Sequence, residues 1–153
     1  MAEPILRRAI VEDVPEIRAL VQRAYARWLG VTPRPPKPLA ADYDRAFGAH
    51  RFDVLVHKGE LVALIETVAE GSELLIVNVA VDPGRQREGL GLRLMRHAED
   101  IARASGLQGT RLYTNVRMTA NIALYERLGY VREREVDHGD RMVAVHMVRV
   151  LDA

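Results

Sequence analysis

The sequence predicts a mixed α/β sheet with helices on both faces, and three observations carry that expectation. Leu74 to Val81 is an almost unbroken apolar run, interrupted only by Asn78, which is the pattern of a central strand buried on both faces. An amphipathic helix follows it, then a strand over Thr110 to Val116, so strand, helix and strand fall within about 40 residues as a right-handed parallel crossover. Along the whole chain the order is strand, one or two helices, three strands, helix, strand, helix, two strands.

Each element has a local reason. Ile5 to Ile10 is a strand candidate, and Asp13 then opens a helix, with Glu16 as a capping-box partner and Pro15 tolerated in the first turn. Val14, Ile17, Val21, Ala24, Tyr25 and Trp28 recur at helical spacing, and Gly30 ends the helix. Thr32 to Pro38 carries four prolines, so it is expected to be neither helix nor central strand. It is either a stiff spacer or, with Tyr25, Trp28, Pro35, Pro36 and Tyr43, part of the wall of a ligand pocket. Leu39 to Ala49 reads as a short second helix. Phe52 to His57 and Leu61 to Val68 are strands joined through Lys58-Gly59-Glu60, a hairpin turn. Leu90, Leu94, Ala98, Ile101 and Ala102 form one helical stripe closed by Gly106. Met118 to Leu128 is a helix ended by Gly129. Tyr130 to Val136 and Met142 to Val150 are strands linked through Asp137-His138-Gly139-Asp140.

Composition narrows the function. A chain of 153 residues, 48% hydrophobic, suits one domain spanning residues 1–153. The net charge of +1, with interspersed signs, offers neither a basic face for nucleic acid nor a polybasic arm for a membrane. No apolar run approaches the roughly 20 residues that span a bilayer. Met1-Ala2-Glu3-Pro4 lacks the layout of a signal peptide, so a cytoplasmic protein is the default expectation. The absence of cysteine removes disulfides, thiolate metal sites and a cysteine nucleophile. The five histidines show no pair at metal-ligand spacing, and no metal is expected. Neither Ser72 nor Ser105 has a nucleophile elbow around it.

The chemistry concentrates where the central strand ends. A strand that feeds a helix through glycines leaves backbone N–H groups unpaired at the positive end of the helix dipole, and an anion docks there. Gly89 and Gly91 let a phosphate reach that backbone, and Arg85 and Arg87 add positive charge, so a diphosphate is the natural guest. The dinucleotide fingerprint fails, because Gly89-Leu90-Gly91 runs on into Leu92-Arg93-Leu94 without the third glycine. The nucleotide-hydrolase loop fails as well: Leu90 and Gly91 stand where Lys and Ser/Thr are needed.

What fits is V-x-P-x-x-Q-x-x-G-x-G from Val81 to Gly91, which resembles the acetyl-CoA signature of GNAT-type N-acetyltransferases. A second segment, Asn121 to Tyr130, resembles the part of that family in which a tyrosine precedes a Gly-aromatic pair. The likeness implies the GNAT fold, a mixed, mostly antiparallel sheet of about seven strands with a splayed central parallel pair. It implies an acetyl-CoA co-substrate, with the diphosphate on the turn at Gln86, Arg87, Glu88, Gly89, Leu90, Gly91 and Leu92. The pantetheine arm would lie along the backbone of Val79, Ala80 and Val81, with an N–H near Val79 facing the thioester oxygen. Tyr125 would protonate or hydrogen-bond the leaving thiolate, and Asn121 would hold the pantetheine arm. The usual asparagine lies seven residues before the tyrosine, where this chain has Met118.

The implied reaction is direct attack of a primary amine on the thioester. The acceptor is a small-molecule or peptide amine, and a homodimer stays open. The general base stays open too. Glu66 is either a base midway along an apolar strand or a carboxylate facing solvent, Asn78 could hold a relaying water, and Tyr113 stands where some relatives carry a glutamate. The alternative to an enzyme is a sensor of the same fold that binds acyl-CoA without transferring it.

Overall fold

The computed structural model describes residues 3–31, 37–139 and 142–151. Seven strands, β1 (Ile5–Arg8), β2 (Arg51–His57), β3 (Glu60–Glu70), β4 (Glu73–Val81), β5 (Gly109–Asn115), β6 (Val131–Asp137) and β7 (Val143–Val150), form one sheet in the order β1-β2-β3-β4-β5-β7-β6. The helices are α1 (Val14–Tyr25), α2 (Lys37–Ala40), α3 (Tyr43–Ala49), α4 (Leu90–Ala104) and α5 (Thr119–Arg127). β4 and β5 pair in parallel across the α4 crossover, and the other pairings are antiparallel.

Alternation along the strands feeds two cores. Leu55, Ala63, Ile65, Leu74 and Ile76 face α4, which buries Leu90, Leu94, Met95, Ala98 and Ala102 against them. Phe52, Val54, Leu64 and Ala80 face α1 and α3, which contribute Val14, Ile17, Leu20, Val21, Ala24 and Tyr43. At roughly 25 cal/mol per Å² these two layers supply most of the driving force for folding. Lys58 (φ 52°) and Gly59 (φ 80°) are both left-handed, the two-residue turn that matches the twist of the β2–β3 hairpin.

Local expectations failed on four points. Asp13 does not cap α1: its carboxylate takes both guanidinium nitrogens of Arg7 (2.7 and 3.0 Å) and the Ile10 N–H, so an ion pair with the end of β1 has displaced the cap. Glu16, expected to close the capping box, instead accepts from the Leu61 N–H of β3 at 3.4 Å. Pro38 lies inside a helix, the single turn α2, where a first-turn proline forfeits no hydrogen bond. The expected second helix is two helices, because Asp42 accepts from the N–H groups of Asp44 and Arg45 and starts α3 afresh. Residues 32–36, with Pro35 and Pro36, lie outside the described residues, as does Asp140.

The feature that shapes the site is a bulge in β4. Thr67 of β3 faces Ile76, but Glu66 faces Asn78, so Val77 is an extra residue. A bulge sharpens local twist, and this one falls immediately after β4's last partner on β5. Only Glu73–Gly109, Leu74–Thr110 and Leu75–Arg111 are paired before the two parallel strands separate.

Candidate active site

Beyond Leu75 the β5-facing edge of β4 has no strand partner. Which backbone groups look into that gap follows from the ladder with β3. Asp82 donates to the Val62 carbonyl at 2.9 Å, and hydrogen-bonded pairs alternate along an antiparallel ladder. Ala80 and Asn78 therefore bond to β3, while the N–H and C=O groups of Val79 and Val81 point away from it, towards the gap.

The gap leads to the turn before α4. Asp82 accepts from the Gly84 N–H at 3.0 Å and shapes a short 3-10 turn over Pro83–Arg85. Gln86 to Gly89 are exposed or nearly so, and Gly89 adopts φ 77° as the residue before α4, which no side chain caps. The first intrahelical bond runs from Arg93 to Gly89, so the N–H groups of Leu90, Gly91 and Leu92 have no partner within the helix. A Cβ on Gly91 would meet only a Val81 methyl at 3.7 Å; the left-handed backbone at Gly89 is the stricter requirement. Of the two arginines expected to add charge, Arg85 is engaged, bonding Glu88 at 3.3 Å and His57 Nδ1 at 2.6 Å. Arg87 is exposed and forms no ion pair among the described residues.

Tyr125 on α5 is half-buried and packs its ring 6.1 Å from that of Tyr130, whose hydroxyl bonds Thr110. Burial pushes the Tyr125 phenol up to about 12. Its hydroxyl makes no hydrogen bond among the described residues, whereas that of Tyr130 is held, which separates a core tyrosine from an available one. Asn121, one turn earlier, is half-buried, and its side chain is likewise without a hydrogen bond among the described residues.

On the α1 and α3 side lies a buried polar group with no obvious structural purpose. Tyr25 at the end of α1 donates its hydroxyl to Asn78 Oδ1 at 2.7 Å and shares it with the Val79 carbonyl at 3.1 Å. Asn78 Nδ2 donates to the Tyr43 hydroxyl at 3.2 Å, which donates on to the Pro38 carbonyl at 2.7 Å. Burial, with the Tyr125 and Tyr43 phenols close by, pushes the Tyr25 phenol well above its ordinary range; burial likewise raises Tyr43. Glu66 sits directly opposite Asn78 and is only 3% exposed, so it does not face solvent. Its Oε2 lies 2.6 Å from His50 Nδ1 at the end of α3, and burial raises its carboxyl despite bonds from His50 and Asn78 that work the other way.

Among the sequence-derived residues, the Val79–Val81 edge leads along the chain into the Gln86–Leu92 turn, and Tyr125 lies near Tyr25, whose hydroxyl bonds the Val79 carbonyl. Of the expected acceptor-pocket wall, Tyr25 and Tyr43 converge on Asn78, while Trp28 instead stacks under Arg27 at 4.6 Å. Tyr113 is 43% exposed, its ring 4.9 Å from His146. His50 was missed as a site residue, because its pairing with Glu66 joins two elements that no sequence spacing connects. Among the described residues no group of three or more potential ligands is placed to hold a metal.

Comparison with known proteins identifies the family and the fold. The Acetyltransferase (GNAT) family profile matches residues 15–130, and the chain belongs to that family. The [ribosomal protein bS18]-alanine N-acetyltransferase of Escherichia coli K12 is 31% identical over 118 residues, covering 77% of this chain and 74% of that one. Among solved structures, the ribosomal-protein-S18-alanine N-acetyltransferase from Escherichia coli superposes with a TM-score of 0.77 at 23% identity, over 98% of this chain and 95% of the other. The paia N-acetyltransferase of Thermoplasma acidophilum, solved in complex with coenzyme A, superposes with a TM-score of 0.81 at 14% identity, over 98% and 100%. At those identities the two structures speak for the fold. No helix among the described residues is long and apolar enough to cross a membrane.

Proposed function

We propose that this chain transfers the acetyl group of acetyl-CoA to a primary amine, with the cofactor bound between β4 and β5. The observation that carries the reading is that β4–β5 pairing stops after Leu75–Arg111, which leaves the rest of the β4 edge without a β5 partner just before the start of α4, which no side chain caps. The diphosphate is assigned to the N–H groups around Gln86 to Leu92, where helix dipole and unpaired donors add. The pantetheine amides then pair with the gap-facing groups of Val79 and Val81 as an added strand would, with Asn121 on the opposite wall. The Val79 N–H faces the thioester oxygen and stabilises the oxyanion as it forms.

Tyr125 serves the leaving sulfur. With a phenol at about 12 and a thiol near 8.5, complete proton transfer to the thiolate would be uphill by about 5 kcal/mol. Tyr125 therefore acts first as a hydrogen-bond donor to the developing thiolate. The sulfur is finally protonated at the expense of the amine nitrogen in the tetrahedral intermediate, which must lose a proton to become an amide. The acceptor to try first is a peptide with an amino-terminal alanine, because the relative is named for acetylating an alanine of ribosomal protein bS18.

Thiol release from acetyl-CoA, measured with a panel of amines and with Tyr125→Phe as control, tests the reading. Amine-dependent release that falls in the variant supports it. Tight acetyl-CoA binding without release, and with the variant indistinguishable, would leave an acyl-CoA sensor.

A further inference from the structure

The buried polar group beneath the bulge offers a proton acceptor for this reaction, and the inference rests on the acetyltransferase reading above. We propose that Glu66 takes the proton that the acceptor ammonium loses before attack, over one water bonded to Asn78, and that His50 is the positioning residue that holds Glu66. Among the described residues Glu66 is the one carboxylate on this face at the level of the bulge, on β3 directly opposite Asn78 of β4, the residue before Val79. A buried carboxylate is costly unless used or paired, and the partner chosen here is a histidine rather than the arginine given to Asp13 and Glu99. Asn78 can hold the relaying water. Its Oδ1 accepts from Tyr25, and its Nδ2 donates to Tyr43 and is directed at Glu66, which leaves one Oδ1 lone pair to accept from a water that lies beside Glu66.

The proton balance closes. The ammonium gives one proton to the water, which passes one to Glu66; the free amine attacks the thioester carbon. Collapse of the intermediate breaks the C–S bond, and the nitrogen's second proton ends on the coenzyme sulfur. Glu66 later returns its proton to solvent, giving the net products amide, CoA thiol and one proton. Throughout, the His50 Nδ1–H donates to Oε2 and fixes the carboxylate. The other charged or titratable groups around the pair are Tyr25 on α1, Tyr43 on α3, Arg8 on β1, and Arg51 on β2, which is held by Asp53.

The test is the pH profile of kcat/KM for Glu66→Gln, His50→Ala and His50→Gln. Activity is followed by thiol release with an alanine-initiated peptide, an N-blocked lysine peptide and a diamine, using whichever turns over fastest. Glu66→Gln is expected to lose about 10²-fold or more in kcat and to lose the acid limb. His50→Ala removes a hydrogen bond to the charged form, so the acid limb moves up by about one pH unit, and His50→Gln, which keeps an N–H donor, moves it back. Acetyl-CoA-induced stabilisation should be unchanged in all three. Glu66→Gln within about threefold of wild type, or an acid limb unmoved in His50→Ala, overturns the proposal while the acetyltransferase reading stands. No turnover of any amine by the wild type overturns both.

Discussion

Replacing Tyr125 with Phe removes one oxygen and little else. The ring keeps its contact with Tyr130 at 6.1 Å, and the hydroxyl has no hydrogen-bond partner among the described residues, so no buried group is stranded. Stability should therefore change by less than about 1 kcal/mol, well inside the ordinary range for a point substitution. Catalysis should change far more. A hydrogen bond from a neutral donor to a charge that exists only in the transition state and after it contributes roughly 3 kcal/mol in a water-poor site, or on the order of 10² in kcat. The acetyl-CoA dissociation constant should stay within about twofold, because the interaction is absent in the ground state. The assay is steady-state thiol release beside a binding titration on the same protein. A fall in kcat below threefold, or a loss of acetyl-CoA affinity that accounts for the whole effect, would refute Tyr125 as the group serving the leaving sulfur.

Three further outcomes follow from single contacts. Gly89→Ala has space for its methyl but must hold φ 77°, so it should cost about 1–2 kcal/mol and lower the melting temperature by roughly 3–6 °C, with acetyl-CoA affinity falling as well. Arg149→Met strands the buried Glu99, whose Oε2 lies 3.1 Å from the Arg149 guanidinium, and also the Leu128 carbonyl. It should cost about 3 kcal/mol in chemical denaturation, and adding Glu99→Met should recover most of that. Burial raises the Glu66 carboxyl above its usual range, so that group's contribution is fully present below about pH 4.3 and is lost as the pH rises through the raised value. Glu66→Gln, which cannot ionise, should thus melt higher than wild type at pH 7.5 and near wild type at pH 4. A melting difference that does not vary with pH would contradict this.

How much was legible in the sequence depended on whether neighbours along the chain decided the outcome. The apolar run of β4, the glycine turn and the stripe of α4 are local patterns; they emerged at the expected positions, as did the order of elements along the chain. The family resemblance carried the splayed parallel pair, which no local pattern encodes. Capping failed where a distant partner competed: Arg7 took Asp13, and the Leu61 N–H took Glu16. The bulge at Val77 was invisible because a bulge is a property of two strands. For the same reason Glu66 could not be placed inside or outside from its own strand, and nothing along the chain linked His50 to it before α3 brought the two together. Arg85 shows the converse, a charge correctly placed near the turn but already bonded to His57 and Glu88.

Thermal melting against increasing acetyl-CoA, with free CoA, ATP and NAD as comparators, bears most directly on the donor site between β4 and the start of α4. At 100 times its dissociation constant a ligand of the folded state stabilises it by about 2.7 kcal/mol. For a chain of this size that is a rise of roughly 5–10 °C. Saturable stabilisation by acetyl-CoA and CoA, and none by ATP or NAD, is the expected result. Well-folded protein that melts at the same temperature with and without either CoA species would contradict the assignment of the gap and the turn to acetyl-CoA.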